Sequence, residues 1–163
     1  MDKDQEKVYV DVLLESLERK LKIMNNIMSL TKDQEEMLTS EKPDADALDS
    51  IFDMKGMYIS QMQEIDAGFQ SVYDKVSEEV KKNRYQHRQK IEKMQQLIKE
   101  ITALGIRVQA LEEQNRQHFE GFLANEKQEI KSFKVSNKTA ASYYRNMANQ
   151  PAYGQSYFFN SQK

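Results

Sequence analysis

MQQLIKEITALGIRVQALEEQNRQHFEGF, residues Met94–Phe122, carries a residue of the same seam at alternating three- and four-residue steps. The series is Met94, Leu97, Ile101, Leu104, Val108, Leu111, Asn115, His118 and Phe122. That alternation keeps one side of a helix apolar and predicts a helix packed along its length against others. Asn115 and His118 interrupt the seam with polar groups, which in such seams fix register at some loss of stability.

Two earlier stretches repeat the pattern. Val10, Leu14, Leu17, Leu21, Met24, Met28, Thr31, Glu35 and Leu38 predict a first helix over about 5–40, and Leu13 and Ile27 widen its stripe. Leu48, Ile51, Lys55, Tyr58, Met62, Ile65, Phe69, Val72 and Val76 predict a second over about 44–82, widened by Phe52, Ile59, Tyr73 and Val80. A stripe wider than a two-stranded seam means that each helix touches two neighbours. Pro43 breaks the first from the second, because it lacks an amide proton and disfavours helical geometry at Lys42. Asp44 then suits the N-cap of the second helix. Near Asn83 the register slips and no large aliphatic residue occurs between Val80 and Ile91, which predicts a turn. Gly68 marks either a kink or the close approach of a neighbouring helix.

The third helix is expected over about 84–133, longer than its partners, with its last turns projecting beyond the bundle. The expected architecture is all-α: a long antiparallel three-helix bundle or coiled coil over 1–135, followed by an extended C-terminal tail. Residues 136–163 are expected to form a short helix and a flexible, aromatic tail. Tyr143, Tyr144, Tyr153, Tyr157, Phe158 and Phe159 all lie there. Disordered tails are usually poor in aromatics, so this one is expected to dock on something.

Composition narrows the function. The 163 residues contain no Cys, which excludes disulfides and Cys nucleophiles. The N-terminal MDKDQEKVYV is acidic and lacks the apolar run of a secretory signal. No stretch approaches the roughly 20 apolar residues that cross a bilayer. The net charge of -2 argues against nucleic acid as a partner. Phosphate-binding loops, nucleophile elbows and zinc motifs are absent. Neither His87 nor His118 follows a Glu by three residues, so a di-iron bundle is not expected. No cofactor, metal or catalytic set is therefore expected, and the chain does not read as an enzyme.

Met24, Met28 and Met62 lie in seams, whereas Met54 and Met57 lie outside them; flexible Met suits surfaces that accept several apolar partners. The expected overhang carries Phe119, Phe122, Leu123, Ile130 and Phe133 beside Lys127, Lys131 and Lys134. With Tyr143, Tyr144, Tyr157 and Phe158 of the tail, these are the residues expected to bind a partner.

The chain resembles the flagellar export chaperones of the FlgN type, in their Gram-positive anaerobe form. The resemblance rests on the helical layout and on Val12-Leu13-Leu14-Glu15-Ser16-Leu17, Leu30-Thr31-Lys32-Asp33-Gln34-Glu35 and Ile65-Asp66-Ala67-Gly68-Phe69. It rests also on Ile130-Lys131-Ser132-Phe133-Lys134-Val135 leading into Tyr143-Tyr144-Arg145-Asn146-Met147. It implies a cytoplasmic helical protein that holds the C-terminal amphipathic segment of hook–filament junction proteins and delivers them to the type III export gate. In that family the C-terminal region does most of the recognition. The heptad pattern alone also fits a self-associating structural or adaptor coiled coil, for instance a homodimer, with no secreted client.

Overall fold

A computed structural model describes residues 1–125 of the chain. Three helices account for most of them: α1 (Lys3–Thr39), α2 (Ala45–Lys82) and α3 (Arg88–Asn125). No strand occurs among the described residues. The fold is the expected all-α antiparallel three-helix bundle. The expected continuation of α3 to Phe133, the short helix and the aromatic tail lie outside the described residues.

Local chemistry sets the ends. Asp2 Oδ1 accepts from the Gln5 amide at 2.8 Å and caps α1. Asp44 Oδ1 accepts from the Asp46 and Ala47 amides at 2.9 and 3.3 Å and caps α2, as expected from Pro43-Asp44. At the other end of α2 no glycine or proline makes the turn. Instead Gln86, His87 and Arg88 donate from their amides to Asn83, Arg84 and Tyr85 carbonyls, a run of tight three-residue closures.

The chain divides into two compact units. Unit 1 combines Met1–Ile23 with Gln61–Ala103, and unit 2 combines Met24–Ser60 with α3 from Leu104 onward. Each unit therefore takes a piece of all three helices.

On α1 and the first half of α2 the buried stripe differs from the expected seam by one residue at alternate steps, whereas on α3 the expected Met94, Leu97, Ile101, Leu104 and Val108 are all buried. On α1 the buried positions are Glu6, Val10, Leu13, Leu17, Lys20, Ile23, Met24, Ile27, Thr31, Gln34 and Leu38. Leu14, Leu21, Met28 and Glu35, read as seam residues, are only half-buried. On α2, Phe52 and Ile59 are buried where Ile51 and Tyr58 were expected. On α3 the stripe runs through Met94, Leu97, Ile98, Ile101, Leu104 and Val108, then shifts by one residue from Leu111 to Glu112 and from His118 to Phe119, with Asn115 and Phe122 buried as expected. His118 is exposed, so it is not the polar seam residue its spacing suggested. The reason is geometric: a helix with two neighbours centres its buried stripe between them, so the residue flanking a two-stranded seam lies deepest.

Gly68 lies inside an unbroken α2, and a Cβ built there meets nothing within 4 Å. It does not serve the close approach of another helix.

Candidate functional site

In unit 1 the α2–α3 turn is fastened to α1 by a buried polar cluster. His87 Nε2 lies 3.0 Å from Glu6 Oε1, and Asn83 Nδ2 donates to both Glu6 oxygens at 3.2 Å. Lys20 Nζ donates to Asp66 Oδ1 at 2.6 Å. Lys90–Asp11 and Lys93–Glu18 add more exposed pairs at 2.5 and 3.4 Å. These contacts position helices and bring no reactive group into an open cleft.

Unit 2 has a more unusual centre, with all three helices contributing. Lys55 of α2 is 0% exposed. Its ammonium donates to Gln34 Oε1 of α1 at 2.6 Å and to Glu112 Oε1 of α3. The Thr31 hydroxyl lies 2.6 Å from the Ile27 carbonyl and 3.0 Å from Glu112 Oε1, and its single proton serves one of them at a time. Asn115 Nδ2 donates to the Thr31 carbonyl at 3.0 Å, while its Oδ1 is buried without a donor among the described residues. Burial pushes the Lys55 ammonium down to about 8, against the opposing pull of the Glu112 carboxylate. It still carries its proton at neutral pH, so the layer is ionic.

One turn nearer the α1–α2 connection the core becomes aromatic. Phe52 meets Phe119 edge to face, centroids 5.4 Å apart at 73°. Phe119 meets Phe122 at 6.2 Å. Leu38 and Leu48 are buried in the same unit. Along α3 the polar pair Glu112 and Asn115 thus separates Val108 from the aromatic pair.

The expected partner-binding residues divide accordingly. Phe119 and Phe122 come together, but buried at 4% and 9% exposure and not projecting as an overhang. Phe119 meets Phe52 of α2 edge to face, so these turns pack on a neighbouring helix. Leu123 is half-buried beside them. Lys127, Ile130, Lys131, Phe133, Lys134, Tyr143, Tyr144, Tyr157 and Phe158 lie outside the described residues. Met54 and Met57 are exposed, consistent with their place outside the α2 stripe. Sequence spacing placed Lys55 in the seam, but it did not identify Gln34 and Glu112 as its partners. The available signal was Lys55 itself: a lysine in a seam needs a buried acceptor on a facing helix.

No group of three or more His, Cys, Asp or Glu capable of holding a metal occurs among the described residues. No helix among them is long and apolar enough to cross a membrane. What the site offers is a buried aromatic cluster shared by α2 and α3, bordered by a buried ion pair.

The sequence model described as FlgN protein matches residues 1–151. No curated protein and no solved structure matches the chain. The match spans most of the chain, and the chain belongs to the FlgN family of flagellar export chaperones.

Proposed function

We propose that this chaperone works in the cytoplasm, without chemistry, by holding the C-terminal amphipathic segment of hook–filament junction proteins and presenting them to the type III export apparatus. The observation that carries the reading is the family match over residues 1–151, which includes the distal part of α3 and the segment after it. Among the described residues, half-buried Leu123 belongs to the client surface, while Phe119 and Phe122 are buried in the free chain. Ile130, Phe133, Tyr143, Tyr144, Tyr157 and Phe158 are proposed to contact the client as well, with Lys127, Lys131 and Lys134 supplying positive charge. An amphipathic client helix laid on such a surface follows helix-in-groove recognition.

The test is capture of a purified junction protein by the full chain. Replacing Ile130 and Phe133 together by Ser is expected to weaken capture at least tenfold while leaving the thermal unfolding midpoint unchanged. Unchanged capture would remove these residues from the client surface. Sedimentation addresses the homodimer. A tight dimer that captures no junction protein would favour a self-associating adaptor.

A further inference from the structure

The polar layer of unit 2 stands where an aliphatic layer would be more stabilising, since a buried ion pair recovers little more than its desolvation cost. Its position along α3 is specific. Val108 lies on one side and Phe119 and Phe122 on the other, with Glu112 and Asn115 between them. The contacts of the aromatic end are therefore separate from those of the aliphatic core.

Chain topology adds a second asymmetry. Beside the aromatic end, α1 and α2 are tied to each other through residues 40–44. Among the described residues, α3 is joined to the other helices only at its N-terminal end, through residues 83–87. Gly121, between Phe119 and Phe122, lowers helix propensity, and a Cβ there meets nothing within 4 Å. The turns of α3 beyond Asn115 are thus the least secured part of the layer's surroundings.

A third observation concerns what could replace them. Asp49 lies one turn before Phe52 on the same side of α2. Its Oδ1 is buried without a donor among the described residues. That acceptor has no donor while Phe119 of α3 packs on Phe52.

We infer that the aromatic end of unit 2 is a helix-exchange site. The turns of α3 from about Asn115 onward detach at the polar layer, and an amphipathic client helix takes their place against Phe52 and Leu48. The helix that fits carries two large apolar residues three apart, as Phe119 and Phe122 are, and a Lys or Arg within reach of Asp49. This rests on the chaperone reading and adds to it a mechanism by which buried Phe119 and Phe122 govern client access.

The test uses the full chain and a fluorescein-labelled synthetic peptide copying Leu111–Asn125, the probe that most resembles the displaced segment. Saturable binding is expected. Gly121→Ala in the chain strengthens the resident helix and is expected to weaken peptide binding about fivefold, the factor given by the Gly-to-Ala difference in helix propensity. Phe119→Ala in the chain weakens the resident turns and is expected to strengthen binding. Amides of 115–125 are expected to exchange with deuterium faster than those of 104–108, with Gly121→Ala slowing the former about fivefold. Absence of saturable peptide binding, peptide binding indifferent to Gly121→Ala, or exchange of 104–125 as a single unit would each overturn the exchange site. Junction-protein capture, measured on the same proteins, separates the two claims. Capture that persists while the peptide fails retires the exchange site alone. Peptide exchange as expected with no capture retires the chaperone client.

Discussion

The Lys55 ammonium of α2 donates to the Glu112 carboxylate of α3 within unit 2, with the two side chains 0% and 5% exposed. Gln34 of α1 takes a second hydrogen bond from the same ammonium, so one ion pair fixes the alignment of three helices. Removing one member leaves a buried charge, whereas removing both leaves only a volume to fill. Lys55→Met alone is expected to destabilise the chain by about 3–5 kcal/mol, and Lys55→Met with Glu112→Leu to be neutral or more stable by about 1–4 kcal/mol. Urea unfolding of the two variants checks the sign of each change.

The same lysine gives stability a pH dependence of definite sign. Its pKa is about 8 in the folded chain against 10.5 ordinarily, so between these values the unfolded state binds more protons. Stability therefore rises as pH increases through that window, by about 3 kcal/mol for this group. Measured against pH, the unfolding free energy of the wild type relative to the Lys55→Met, Glu112→Leu chain should rise from pH 8 to 10.5. A flat difference would show that Lys55 is not proton-poor in the fold.

The aromatic end carries its own stability. Phe52 and Phe119 are both buried, and each Phe→Ala change is expected to cost about 3–5 kcal/mol. Their edge-to-face contact predicts a coupling of about 0.5–1.5 kcal/mol in a double-mutant cycle read by urea unfolding. Additive losses would mean that the rings do not interact.

The two histidines should behave differently. His118 is exposed, and His118→Ala should change stability by no more than about 0.5 kcal/mol. His87 is buried against Glu6, and His87→Ala leaves that carboxylate short of a partner, at a cost of about 1–3 kcal/mol. Thermal unfolding of both variants gives the comparison.

Three helices, the break at Pro43 and the cap at Asp44 were readable because they depend on periodicity and on local backbone chemistry. On α1, and on α3 beyond Val108, the seam was misread by one residue at alternate steps, and the misread positions explain why. Lys20, Gln34 and Glu112 are polar side chains, so a hydrophobicity pattern assigns Lys20 and Glu112 to solvent and prefers their neighbours Leu21 and Leu111, and spacing alone placed Glu35 in the seam instead of Gln34. They are buried because each finds its partner on another helix: Asp66 for Lys20, and Lys55 for Gln34 and Glu112. Such pairings join residues 21 to 57 positions apart, and no local pattern records them. The burial of Phe119 and Phe122 was missed because these turns were expected to project beyond the bundle, whereas Phe119 packs on Phe52 of α2.

Hydrogen exchange of the full chain with and without a saturating purified junction protein separates exchange of α3 from docking on an intact helix. Client binding is expected to alter protection in residues 115–125 and to leave the Val8–Ile23 amides of unit 1 unchanged. Saturating client binding with no change anywhere in residues 104–125, or no binding at all, would contradict this expectation.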